Sequence, residues 1–364
     1  MRPDPDLRAR FERAGSHIGV DPQRRLDEIH TLSERRLRSR RVQALAVAAV
    51  IGLLAMLAAW QLRFSEDRAP VPGTTPTLSG RIAYLRAHGS TNLLVLDAGS
   101  GERGTLYDGN ATVGWGAWSP DGSRVAYTLE RPGLRSEIVV ADSDGSDPET
   151  IVAEDDTGAV GPDLLNVAWS PDGTQIAYSG RTLRRGVANR TVFIVDADGR
   201  GRPTVLEGHW EAVSWSPDGR RLVLVGFPDP EDPTFDLYTS DPNGSNLARL
   251  THDAVIERAP SWSPDGRQIV YSTDPGVFVM AADGSDVRRL TDRRGWDLLP
   301  VWSPDGAWIA FTSDRGATPE QQAANQAGGN VSGFSIYAMR VDGSGVRRLM
   351  EDDDALLYPT SWTR

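Results

Sequence analysis

The pentapeptide Trp-Ser-Pro-Asp-Gly occurs five times, at 118–122, 169–173, 215–219, 262–266 and 302–306, and a shortened copy, Ser361-Trp362-Thr363, follows. Successive tryptophans are 51, 46, 47, 40 and 60 residues apart. Near-regular self-similarity on this scale marks a repeat architecture built from one supersecondary unit. The repeat residues Trp118, Asp121, Trp169, Asp172, Trp215, Asp218, Trp262, Asp265, Trp302, Asp305 and Trp362 are therefore read as structural.

Each copy follows a short apolar or mixed run and precedes an alternating one, such as Arg124-Val125-Ala126-Tyr127 or Gln268-Ile269-Val270-Tyr271. Two β-type runs joined by a turn predict a hairpin. Pro presets φ at the first corner, Asp bonds nearby backbone, and Gly takes the positive φ that ends the turn. The Trp is large enough to fill the wedge between neighbouring sheets. A third run ends in Asp144-Gly145, Asp198-Gly199, Asn243-Gly244, Asp283-Gly284 or Asp342-Gly343, and a fourth follows. Four short antiparallel strands per unit predict an all-β chain folded as a β-propeller. Residues 356–362 supply only an inner strand, whereas Gly80-Arg81-Ile82-Ala83-Tyr84 reproduces the segment that should follow a Pro-Asp-Gly turn. The last strand is expected to complete the first sheet, so that N- and C-terminal strands share one of six blades and no sheet edge is left at the seam.

The stretch 308–315, resumed at Ser335-Ile336-Tyr337-Ala338-Met339 and at 342–349, resembles the TolB-type propeller repeat, and it recurs over residues 80–364. The resemblance implies a six-bladed, extracytoplasmic propeller that binds proteins or ligands. TolB carries a separate α/β domain before its propeller, and no such stretch is expected here, so TolB's own partners are not carried over.

Ahead of the repeats, the composition changes twice. Residues 1–41 hold 11 Arg against 7 acidic residues, a net of +4, whereas the rest of the chain carries a net of −15. The acidic body argues against nucleic acid, because phosphate contact needs a basic face. All 39 basic residues are Arg, which excludes a Lys-dependent phosphate loop, and the absence of Cys excludes disulfides and thiolate metal sites. Within 1–41, Asp21 and Pro22 read as the cap and first position of a helix. From 42 to 62 the chain is apolar, and a helix over it would be about 31 Å long, enough for a bilayer core of about 30 Å. Arg35, Arg36, Arg38, Arg40 and Arg41 crowd its N-terminal side, so the positive-inside rule predicts a single-pass bacterial membrane protein with 1–41 in the cytoplasm and the propeller outside. A leader of about 40 residues is long for a cleavable signal peptide, so an anchor is expected. Residues 63–79, with Pro70, Pro72 and Pro76 among Ser and Thr, read as an extended tether.

In a propeller the connection before each inner strand and the one between second and third strands share one face, and the tight turns share the other. The irregular connections here, 181–190, 228–233 and 315–333, all belong to the first set, and long loops on a rigid scaffold are where recognition sits. Three to six positions before each repeat Trp lie Trp115; Asp163; His209, Trp210 and Glu211; Glu257 and Arg258; Trp296 and Asp297; and Tyr358. These are expected to ring the channel mouth as a pocket. The expected function is binding of a protein, peptide or envelope glycan on the loop face without catalysis, with Trp210 on the rim and tolerant of replacement. No cofactor and no metal are expected: the five His show no ligand spacing, and the acidic run 142–147 sits where every blade has a turn and lacks a distal Glu. Two other readings stand beside this one. A basic arm, one membrane helix and an external propeller resemble the layout of membrane-bound anti-sigma factors, which would give residues 1–41 a cytoplasmic protein partner; the Cys of the usual zinc pattern is absent. A propeller hydrolase or lyase would use His209 with Glu211 or Asp163.

Overall fold

The computed structural model describes residues 77–88, 90–131, 136–153, 166–184, 187–229, 234–252, 255–274, 276–292, 294–326, 332–352 and 355–364. The strands form six four-stranded antiparallel sheets. Their inner strands are Leu356–Thr363 (blade 1), Thr112–Trp118 (blade 2), Asn166–Trp169 (blade 3), His209–Trp215 (blade 4), Arg258–Trp262 (blade 5) and Asp297–Trp302 (blade 6). Blade 1 closes as expected: Leu356–Thr363 pairs antiparallel with Arg81–His88, in register Ile82↔Trp362 and Ala83↔Ser361.

The repeat turn explains why this pentapeptide recurs. In each full copy the Gly N–H donates to the Ser carbonyl at 2.9 Å, and the Ser hydroxyl donates to the Asp carboxylate at 2.5–2.7 Å. The same hydroxyl accepts the N–H five residues on, at 2.9 Å. The Gly residues have φ of 68–71°, open to glycine without penalty. Each turn also touches the next: a Cβ on Gly219 would lie 3.3 Å from Pro171 Cγ, and one on Gly266 3.2 Å from Pro217 Cγ. The five full turns, of blades 2 to 6, thus stand side by side on one face.

Six apolar clusters correspond to the six seams between blades, and each contains one repeat Trp. Trp169 and Trp302 also send their indole N–H back to the preceding inner strand, to the carbonyls of Ala117 and Ser261 at 3.1 Å. Burying an aromatic of this size removes about 150–250 Å² from water, which makes each seam a strong adhesive contact.

Two connections differ from the irregular loops expected. Strands Gln175–Arg184 and Val187–Asp196 remain paired up to Arg184↔Val187, so 181–190 continues a hairpin rather than forming a loop. The 315–333 insertion contains a helix, Pro319–Gln326. The connection 228–233 is described only through Asp229. Among the described residues no helix is long and apolar enough to cross a membrane. The arm 1–41, the apolar segment 42–62, the tether up to residue 76, and Asp163 lie outside the described residues.

Candidate functional site

The inner strands surround a cavity of about 350 Å³ walled by the six repeat indoles, by Pro120, Pro217, Pro264 and Pro304, and by Trp115 and Asn166. Most of these strands carry a β-bulge towards the loop face, seen as register shifts at Val113/Gly116, Trp210/Ala212, Arg258/Ser261 and Leu298/Val301. A bulge inserts one residue and so reverses which face the following side chains occupy. In blades 5 and 6 the bulge holds Ala259 at φ 47° and Leu299 at φ 53°, and both residues face the cavity.

These bulges decide the fate of the residues expected at the mouth. Trp210 lies beyond its bulge and is turned inward, 1% exposed, in the seam between blades 3 and 4. Its indole N–H donates to the Glu207 carbonyl at 2.9 Å and its ring meets Tyr238 edge-on at 5.4 Å. Trp210 is a core residue and is not presented to a ligand. Glu257 (1% exposed) and Asp297 (0%) are buried as well. Asp297 receives Arg315 Nη2 at 2.8 Å; burial nonetheless raises its pKa, with the guanidinium acting in the opposite direction.

Trp115, His209, Glu211, Arg258, Trp296 and Tyr358 retain exposure on or near the loop face. Trp296 is the most firmly held of them. Its backbone N–H donates to Asp314 Oδ1 at 2.6 Å, and its indole N–H to Asp274 Oδ1 at 3.2 Å. Asp314 is fixed in turn by Asn325 Nδ2 at 3.0 Å from the helix Pro319–Gln326, and Gln322 Nε2 donates to the Asp314 carbonyl at 2.9 Å. Arg258 pairs with the same Asp274 at 3.5 Å, joining blade 5 to the Trp296 platform. The insertion therefore works as a buttress.

On blade 4, His209 stacks on Phe227 at 4.7 Å and 7°, and Phe235 meets both rings edge-on at 5.6 and 5.2 Å. Phe227 and Phe235 were not foreseen; the counting rule looked only upstream of each repeat Trp, and both belong to the hairpin of strands Leu222–Phe227 and Asp236–Ser240. Burial lowers the His209 pKa; Glu211 opposes this and Arg190 adds to it. Burial raises the phenol pKa of Tyr358. Among the described residues, four arginines on this face pair within the ring: Arg86 with Asp352 at 2.6 Å, Arg131 with Glu137 at 3.5 Å, Arg190 with Glu211 at 3.8 Å, and Arg294 with Asp292 at 3.1 Å. Among the described residues no group of His, Asp and Glu is placed to hold a metal ion.

Residues 134–276 match the family model of the TolB beta propeller domain. The chain superimposes on TolB from Acinetobacter baumannii with a TM-score of 0.62 at 18% identity, covering 80% of this chain and 68% of that one. The ring is a TolB-like six-bladed β-propeller. A putative TolB from Agrobacterium tumefaciens superimposes on the TolB-like ring with a TM-score of 0.55 at 23% identity, over 79% of this chain and 99% of that one. In sequence, the chain is 33% identical over 79 residues to the Tol-Pal system protein TolB of Thioalkalivibrio sulfidiphilus, 21% of this chain and 18% of the relative. It is 39% identical over 56 residues to the Tol-Pal system protein TolB of Methylobacillus flagellatus, 15% of this chain and 11% of the relative. The TolB-like chain thus spans under a fifth of the length of these curated relatives.

Proposed function

We propose that this chain is a membrane-anchored, extracytoplasmic propeller whose loop face binds a protein, peptide or envelope glycan without catalysing a reaction. The observation that carries this reading is the Trp296 platform. A large aromatic left partly exposed, fixed by hydrogen bonds at both its backbone and its indole, and backed by a buried Asn325–Asp314 contact, is organised for contact rather than for turnover. Rigid aromatics lose little entropy on binding, which is why they anchor interfaces. Beside it stand Asp274 and, paired with that carboxylate, Arg258. The similarity of part of the chain to proteins named as members of the Tol-Pal system is in keeping with a role among protein partners.

The path of the chain supports the same reading. Leu78 packs into the seam between blades 6 and 1, Trp362 Nε1 donates to the Ser79 carbonyl at 3.0 Å, and Arg81 then begins its strand at the turn-face end. From residue 77 the chain therefore enters the ring on the turn face, opposite the loop face. The test is site-specific photo-crosslinking in the native cell from the positions of Trp296 and, as control, Asp172. Partners captured from the first position only, and lost with Arg258→Ala, support loop-face binding. Capture from Asp172 alone would overturn it.

A further inference from the structure

The tunnel between the inner strands is uncharged, and at one level every blade contributes to its wall. The residue just before each repeat Trp lines it: Ser361, Ala117, Ala168, Ser214, Ser261 and Val301, in blade order 1 to 6. All six lie among the described residues. Towards the turn face stand the prolines of four repeat turns, and towards the loop face Trp115, Asn166, Ala259 and Leu299. Among the described residues no Asp, Glu, Arg or His lines the cavity, although Glu211, Arg258 and Asp297 sit on the same inner strands. This neutral interior is set within a body whose net charge beyond residue 41 is −15.

The wall is nevertheless mixed in polarity. Ser214 and Ser261 are neighbours on blades 4 and 5, and their hydroxyls make no hydrogen bond within the protein among the described residues. On blade 1, Ser361 Oγ accepts the Trp118 N–H at 3.0 Å, which leaves its own O–H to donate. Asn166 Oδ1 takes the Val213 N–H at 2.9 Å, so its amide N–H groups stay available as donors. Ala117, Ala168 and Val301 complete the ring with apolar groups, and the repeat indoles back it. The volume, about 350 Å³, falls in the range of small-molecule sites, about 300–1,000 Å³.

We propose that this ring binds an uncharged sugar, either free or at the end of a glycan. The site is separate from Trp296, which does not line the cavity, and goes beyond the loop-face reading above. A charged ligand would give up its hydration here and meet no opposite charge, which disfavours carboxylates, phosphates and amines. A polypeptide entering by its end carries a charged terminus and is disfavoured likewise. A hydrocarbon would strip water from the serine hydroxyls and the Asn166 amide and leave them unpaired. A sugar ring meets both conditions. Its hydroxyls pair with Ser214, Ser261, Ser361 and Asn166, and its C–H faces lie against Ala117, Ala168, Val301 and the indoles.

The test is isothermal titration of the full chain in zwitterionic nanodiscs, with empty nanodiscs as reference, at about pH 6, where the amine of glucosamine is protonated. The probes are glucose, cellobiose and diacetylchitobiose as uncharged sugars, with glucuronate and glucosamine as charged counterparts. At least one uncharged sugar should bind, and both charged ones at least tenfold more weakly. Ser261→Leu fills the ring, and Asn166→Asp keeps the acceptor for Val213 while adding a charge; each should weaken the uncharged sugar at least tenfold with circular dichroism unchanged. Should Ser261→Leu not fold, Asn166→Asp decides alone. Retention of the chain on agarose carrying the same sugar through its reducing end assigns the site to a glycan end, and binding of the free sugar alone assigns it to a soluble one. Silence with every uncharged sugar, equal binding of the charged ones, or binding indifferent to both variants would sink the proposal. Binding lost with Trp296→Ala yet indifferent to the tunnel variants would refute the tunnel site while loop-face recognition stands. If Trp296 crosslinks no partner in the cell, the loop-face reading fails independently of the sugar result.

Discussion

Replacing Trp210 with Ala tests the bulge in blade 4 directly. The side chain is 1% exposed, packs among Val213, Leu224 and Tyr238, and donates its indole N–H to Glu207. Truncating a buried Trp costs about 3–5 kcal/mol through lost transfer energy and the cavity left behind. The edge-on contact with Tyr238 and the lost hydrogen bond place this residue in the upper half of that range, at about 4 kcal/mol or more. For a ring of this size that corresponds to a fall in Tm of about 8–16 °C. Trp296→Ala is the internal control, because its ring is partly exposed and loses chiefly the Asp274 hydrogen bond, a change of about 1 kcal/mol. Urea unfolding monitored by far-UV circular dichroism, with m-values compared between variants, measures both. A loss at Trp210 no larger than that at Trp296 would refute the inward turn of Trp210.

Four further outcomes are expected. Gly226→Ala should fail to yield folded protein, since Gly226 has φ 148° and an added Cβ would lie 1.9 Å from the His209 carbonyl oxygen; soluble expression with native circular dichroism would contradict this. The carboxyls of Asp121, Asp172, Asp218 and Asp265 are held below their ordinary pKa, first by the adjacent Ser hydroxyls and then by backbone N–H groups, Asp121 at about 2. Because the unfolded chain binds these protons first, the stability they contribute is present above about pH 4 and lost as pH falls towards 2, and Asp121→Asn should flatten the acid limb of a stability-versus-pH curve. His209 should titrate below the usual histidine range by NMR, and Glu211→Gln should move it lower still, since Glu211 is the group that opposes the effect of burial; an upward move would show that another charge controls it. Asn325→Ala should destabilise the protein by about 1–3 kcal/mol, because it strips a buried partner from Asp314 and from the Ser332 backbone, and amide exchange at Trp296 should accelerate.

The architecture was legible because its determinants are local. Each Trp-Ser-Pro-Asp-Gly copy builds its turn from its own side chains and the next few N–H groups, so Trp118 or Trp262 could be placed in a seam without knowing the rest of the ring. Closure was legible for the same reason, since 80–84 and 356–362 are two halves of one repeat. The channel mouth was less so. Counting back from a repeat Trp assumes strict alternation, and one inserted residue between Trp210 and Ala212 breaks it, which moved a supposed rim indole into the core. Burial of Glu257 and Asp297 escaped notice because the partners of Asp297 are remote in sequence: Arg315 lies 18 residues away, in a segment read as an irregular loop. The Arg-rich run 181–190 looked like a loop by composition, yet its backbone continues a ladder that extends beyond the sheet. Polarity reports which side chains meet water; it does not report where pairing stops.

The shared first blade sets a schedule for synthesis. Thr360 bonds the carbonyl of Ala83 across 277 residues of chain. At about 5–20 residues per second, the strand Arg81–His88 is made about 14–55 s before the strand that covers its inner edge. For that interval a nascent chain displays an open row of backbone donors and acceptors beside Ile82 and Tyr84, and whatever shields that edge during translation decides the yield of closed rings.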